Sequence, residues 1–335
     1  MLNKCYIILF AVITFFPVIS QETEDLQELD LRLTSYEYPY SVDYFEVNAQ
    51  QEINEMAYMF IEAENPNGET IMLLHGKNFN GAYWETTIEA LSAEGFDVLV
   101  PDQIGFGKSS KPNYFQYTFQ QLALNTKKLA ESLDIEKMNV LGHSMGGMLA
   151  TRFALMYPEN TKNLILVNPI GLEDWKLKIP YQSVNDWYQQ ELKKDYEAIK
   201  SYQKENYYAG DWNEDYAEWA KLLAGWTLSE NYPIIAWNAA LTYDMILTQP
   251  VFYEFSELKV PTLLIIGTRD RTALGKNLVS EEVKATMGLY DQLGEETRNK
   301  IPNAKLVEIK DVGHLPHIEA FDRFINPLLE YLQKN

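Results

Sequence analysis

The chain has 335 residues, 46% of them hydrophobic and 23% charged, with a formal net charge of −20. That length suits one large domain or a domain carrying an insertion. The negative charge argues against a nucleic-acid partner and against docking on anionic lipid, since phosphates would repel it.

Lys4, an apolar run over residues 5–19, small Ser20 and the acidic stretch from Gln21 to Asp25 follow the order of a secretory signal peptide. The run is shorter than the ~20 residues that span a bilayer. The expectation is a segment 1–20 cleaved near Ser20, a secreted or periplasmic product, and no stable membrane insertion afterwards. Cys5 is the only cysteine and leaves with that segment. Disulfides, a thiolate nucleophile and a cysteine-based metal site are therefore not expected.

Residues 21–40 are polar and acidic and read as an arm. Two strands follow at 42–47 and 56–61, then a turn cluster, Asn65-Pro66-Asn67-Gly68. The continuous apolar run at 71–74 predicts a strand buried on both faces, ending in His75-Gly76-Lys77-Asn78. A helix is expected over 84–93, a strand over 96–100, and a helix from an N-cap at Thr118 to Leu133. Residues 138–141 predict the next strand, 148–157 a helix and 164–167 another buried strand. From 171 to 255 the pattern changes: no buried-type strand is legible, and six of the seven tryptophans fall there. This window reads as an inserted helical cap. Alternation resumes with strands at 262–266 and 306–309 and helices at 280–287 and 318–332. Strands alternating with helices give an α/β class and a mainly parallel sheet, divided as core 41–170, cap 171–255 and core 256–335.

Such a sheet places its site beyond the carboxyl ends of its strands. At the end of the strand over 138–141 stands Gly142-His143-Ser144-Met145-Gly146-Gly147, a Gly-x-Ser-x-Gly elbow that exposes a serine at strained dihedrals on a helix N-terminus. Gly267-Thr268-Arg269-Asp270 and Asp311-Val312-Gly313-His314 end two later strands. Nucleophile, acid and histidine thus occur in order. A neutral serine needs a base to take its proton, and a carboxylate fixes the tautomer of that base. Asp174 is a competing acid, but Asp270 stands nearer a strand end.

An oxyanion hole needs two backbone donors: the N–H of Met145, and the N–H of Lys77 with Asn78 as its alternative. His75 reads as a loop-holding residue and His143 as packing beneath the elbow. His317 reads as either a supporting or a surface group. In the cap, Trp237, Asn238, Tyr243 and Asp244 are expected to face Ser144.

These motifs, with Pro101-Asp102-Gln103-Ile104-Gly105-Phe106-Gly107-Lys108-Ser109, resemble the α/β-hydrolase superfamily over residues 44–332. The resemblance implies an eight-stranded sheet with helices on both faces and a cap inserted after the sixth strand. It also implies Ser144 as nucleophile, Asp270 as acid, His314 as base, and no cofactor; metal hydrolysis is not expected, because the chain has four histidines and all have other roles. Serine at position 144 departs from the aspartate nucleophile of haloalkane dehalogenases and epoxide hydrolases. The function expected is a serine hydrolase forming an acyl-enzyme with a small-molecule ester, lactone or related carbonyl compound. Aminopeptidase or perhydrolase chemistry on the same triad, or a non-catalytic binder, are the alternatives.

Overall fold

The first hairpin pairs β1 (Asp43–Ala49) with β2 (Glu52–Ile61). It turns on Gln50 and Gln51, at φ 56 and 65, the pair of positive φ angles that suits a two-residue turn to strand twist. The computed structural model describes residues 26–334, so the expected signal segment and Cys5 lie outside the described residues.

Six further strands complete one eight-stranded sheet: β3 (Thr70–Leu74), β4 (Asp97–Pro101), β5 (Met138–His143), β6 (Thr161–Val167), β7 (Thr262–Gly267) and β8 (Ala304–Ile309). Their order is β1-β2-β4-β3-β5-β6-β7-β8, with β1 and β2 antiparallel and the rest parallel. Every residue of β5 and β7 is buried, as expected of strands covered on both faces.

Side chains alternate across that sheet with period two. Met72, Leu74, Val140, Leu164 and Ile266 meet α2 (Phe119–Ser132), α3 (Met145–Met156) and α9 (Tyr290–Lys300) on one face. Ile71, Leu73, Leu141, Ile165 and Ile265 meet α1 (Glu85–Ala93) and α10 (Phe321–Leu332) on the other.

Helix α9 corrects the sequence reading. The helix expected over 280–287 is only the single turn α8 (Glu281–Lys284), and α9 does the covering instead. Its charged, glycine-containing sequence hides it. Gly294 lies so close to the sheet that a Cβ there would sit 3.3 Å from Ile266.

Between β6 and β7 the chain forms the cap, built from α4 (Val184–Glu191), α5 (Tyr196–Asn206), α6 (Ala217–Thr227) and α7 (Tyr232–Thr248). No strand occurs there among the described residues. Ser183 and Asp186 form a reciprocal capping box on α4, and Asp195 caps α5. The arm is more than a tail. Leu29 and Leu33 are buried among Leu222, Trp226, Tyr232 and Ala236 of the cap. Lys108 of the 101–109 motif donates to the carbonyls of Leu33 and Tyr36, so the arm also grips the sheet rim.

Candidate active site

Ser144 sits between β5 and α3 at φ 56, ψ −122, a backbone conformation that a side-chain-bearing residue adopts only under constraint. The constraint is close packing of bare backbone. A Cβ on Gly142 would lie 2.1 Å from the Gly146 carbonyl oxygen, and one on Gly146 would lie 2.2 Å from that of Leu74. The Ser144 N–H donates to Val167 O at 3.2 Å, and its carbonyl accepts from Ile170 N at 3.1 Å. Ser144 is 5% exposed.

His314 follows β8 and is buried with Asp270, which follows β7. Its Nδ1 donates to Asp270 Oδ2 at 2.6 Å. Asp270 is held in turn. Asn168 Nδ2 donates to Oδ2 at 2.9 Å, and the Thr272 N–H donates to Oδ1 at 2.7 Å. With Nδ1 carrying the proton, Nε2 of His314 has a free lone pair. It is buried and bonded to no described residue. Asp174, the competing acid, instead accepts from Tyr253 OH at 2.7 Å and caps the turn at Trp175–Leu177.

His143, the residue before Ser144, links the elbow to the loop that carries His314. Nε2 of His143 donates to the carbonyl of His314 at 2.8 Å, and the two rings lie 4.8 Å apart. Nδ1 of His143 accepts from Tyr83 OH at 3.0 Å, while that hydroxyl accepts from the Gly76 N–H at 3.0 Å. His143 is thus a connector as well as a packing residue. Burial, followed by the neighbouring His314 and His317, holds its pKa well below the ordinary histidine value.

The 75–78 loop lies against the elbow, since a Cβ on Gly76 would sit 3.1 Å from Ser144 Cβ. His75 pins this loop. Its Nδ1 donates to Gly76 O at 2.8 Å and its Nε2 accepts from Gln103 N at 3.0 Å. The N–H of Lys77 makes no hydrogen bond with any described residue. Met145 opens α3 directly after Ser144, with its side chain buried.

The cap completes the arrangement. Tyr207 stacks on the His314 ring at 4.7 Å, its carbonyl accepts from the His314 N–H at 2.7 Å, and its hydroxyl accepts from Asn78 Nδ2 at 2.7 Å. His317 is neither a surface group nor a hydrogen-bonded one. It is buried against Trp84 at 4.5 Å with both ring nitrogens unpartnered.

A cavity of about 460 Å³ opens under the cap, and Lys77 and Asn78 form part of its wall. Of the cap residues expected to face the nucleophile, only Tyr243 lines it. Tyr232, Ile235, Ala239 and Tyr243 share one stripe of α7 at helical spacing and face inward. Trp237 and Asn238 lie off that stripe. Trp237 donates to Asn113 O at 2.9 Å, Asn238 accepts from Tyr117 OH, and Asp244 is absent from the wall.

Comparison with known proteins decides the family. A family model described as alpha/beta hydrolase fold matches residues 69–321. The chain belongs to the α/β-hydrolase family. It is similar to Lipase 1 of Psychrobacter immobilis, with 27% identity over 271 residues, 78% of this chain and 77% of that protein. Lipase 3 of Moraxella sp. (strain TA144) is 26% identical over 270 residues, covering 78% and 76%. Among solved structures, a probable hydrolytic enzyme from Pseudomonas aeruginosa PAO1 superimposes with a TM-score of 0.90 at 49% identity, covering 92% of this chain and 99% of that one.

Proposed function

We propose that this α/β hydrolase is a serine hydrolase of carboxylic esters, with Ser144, His314 and Asp270 as its triad. The observation that carries the reading is the buried His314 Nδ1–Asp270 Oδ2 bond of 2.6 Å, which leaves Nε2 free to act as a base, with His314 tied through its carbonyl to His143, the residue next to the strained Ser144. Hydrolase relatives named as lipases support the ester class.

In this reading Ser144 Oγ attacks the ester carbonyl carbon while His314 Nε2 takes the hydroxyl proton, and the Asp270 carboxylate steadies the imidazolium. The N–H groups of Met145 and Lys77 receive the oxyanion, each worth ~10²–10³ in rate. Collapse breaks the ester bond, and the leaving alkoxide takes the proton from His314. A water then attacks the acyl-enzyme, with His314 as base, and the acid product departs. No step calls for a cofactor. The N-terminal segment supports a secreted or periplasmic setting for this chemistry.

A fluorophosphonate probe tests the reading. Labelling should map to Ser144 and vanish in Ser144→Ala, together with turnover of short p-nitrophenyl esters. Labelling elsewhere, or ester turnover that survives Ser144→Ala, would overturn it. Amino-acid nitroanilides run in parallel distinguish ester from peptide-end cleavage.

A further inference from the structure

The protein as a whole is strongly acidic, at −20, yet its cap cavity is not. The charged side chains in the wall are four lysines, Lys77, Lys194, Lys276 and Lys284, against two glutamates, Glu191 and Glu205. Three of the lysines have anionic or carbonyl partners. Lys284 lies 3.4 Å from Glu205, Lys194 lies 2.5 Å from Glu191, and Lys276 donates to the Arg271 carbonyl. Lys77 has none among the described residues. Its ammonium rests on the face of the Tyr243 ring, 3.6 Å from the centroid. The Tyr243 hydroxyl is engaged by Lys194 at 3.3 Å. Burial, opposed by Glu191 and reinforced by Lys194, pushes the pKa of the Lys77 ammonium down to about 7, and an anion beside it would favour its charged form.

Glu191 is already paired with Lys194 at 2.5 Å, so Lys77 is the wall cation whose ammonium has no carboxylate beside it among the described residues. The position of that charge matters. Lys77 belongs to the loop that touches Ser144, and its side chain runs from there into the cavity. We propose that the cavity selects esters or lactones whose acyl chain ends in a carboxylate, bound by Lys77 with Lys194 in support. An anchor on the acyl side serves both half-reactions, because the acyl group stays while the alcohol leaves. A partly desolvated ammonium gives such a contact a strength that a surface lysine would not. The inference rests on the serine-hydrolase reading for its chemistry, but the carboxylate site stands on the cavity itself.

The test compares monomethyl glutarate with dimethyl glutarate, which differs only in masking the free carboxylate, by pH-stat titration of the purified protein at pH 7. Calorimetry on Ser144→Ala with glutarate and with uncharged glutaramide measures binding without turnover. The expected result is a kcat/KM at least ~10-fold higher for the monoester. Lys77→Met should bring that ratio near one, whatever it does to either rate alone, and Lys77→Arg should retain most of it. Glutarate should bind and glutaramide should not. Equal turnover of the two esters by an enzyme labelled at Ser144 overturns the carboxylate site and leaves the hydrolase reading intact. Lys77-dependent glutarate binding with no labelling and no turnover overturns the hydrolase reading and supports the site. Absence of both turnover and glutarate binding overturns the site as well.

Discussion

His143 holds His314 by its backbone: Nε2 of the residue before Ser144 donates to the carbonyl of the histidine that follows β8, at 2.8 Å. A carbonyl only accepts, so His143 carries its proton on Nε2 and receives the Tyr83 hydroxyl on Nδ1. That hydroxyl in turn accepts from Gly76 N–H. The 75–78 loop, the elbow and the histidine loop are therefore linked by one buried chain of bonds. In Tyr83→Phe, His143 Nδ1 and the Gly76 amide lose their shared partner. The expected cost is about 1–3 kcal/mol of stability, read by denaturant unfolding, with a further fall in kcat as the Gly76 loop shifts.

Replacing the acid tests its role separately from folding. Asp270→Asn preserves shape and can keep the Thr272 bond, but its amide favours the wrong His314 tautomer. A loss of ~10³–10⁴ in kcat with little change in KM is expected. Steady-state kinetics, with near-UV circular dichroism to verify packing, provide the check. A loss below tenfold would remove Asp270 from the triad.

Gly313 packs backbone to backbone at the seam between cap and core. A Cβ there would lie 2.0 Å from the Tyr207 carbonyl oxygen, the same oxygen that accepts the His314 N–H. Backbone on both sides must move to admit it. Gly313→Ala is expected to displace His314 and lower kcat by at least ~10², while the thermal midpoint falls by only a few degrees. Unchanged turnover would contradict the placement of His314 in the proposed triad.

The buried histidines set the behaviour in acid. Burial holds His75, His143 and His317 below their ordinary value of 6.5, with His317 at about 3. Between 6.5 and 3 the unfolded chain binds the His317 proton and the folded chain does not, so stability must fall as pH drops through that window. His317→Phe keeps the ring against Trp84 and removes two unpartnered nitrogens. Its unfolding free energy should be unchanged or higher at pH 7. Its decline below pH 6 should be shallower by up to ~1.4 kcal/mol per pH unit. Denaturant midpoints measured from pH 7 to pH 4 on both proteins decide the matter.

The sheet and the placement of Ser144, Asp270 and His314 at strand ends were legible because both leave marks that survive in one dimension. Buried parallel strands are short apolar runs, and the elbow glycines are imposed by backbone contacts that no side chain could share. Asn168, which orients Asp270, was visible only as a polar residue at a strand end. Tyr207 looked like one tyrosine among many, because its contact with His314 spans the cap seam. Trp237 and Asn238 illustrate the limit of proximity arguments: of the four residues expected to face Ser144 only Tyr243 lines the cavity, because helix phase, not nearness along the chain, decides which side chains turn inward. Glu191 and Lys194 were illegible, since charged residues near a helix end ordinarily read as a solvated face.

The strap formed by residues 26–40 changes what the insertion is. A trimmed protein lacking the insertion would strand Leu29 and Leu33 in water and leave the amide of His314 with no acceptor. Lid grafting between relatives would then fail on this scaffold unless the donor brought a replacement for the Tyr207 carbonyl and a greasy slot for the two leucines. Swaps should be cut to carry the strap of residues 26–40 along with the lid, as one cassette.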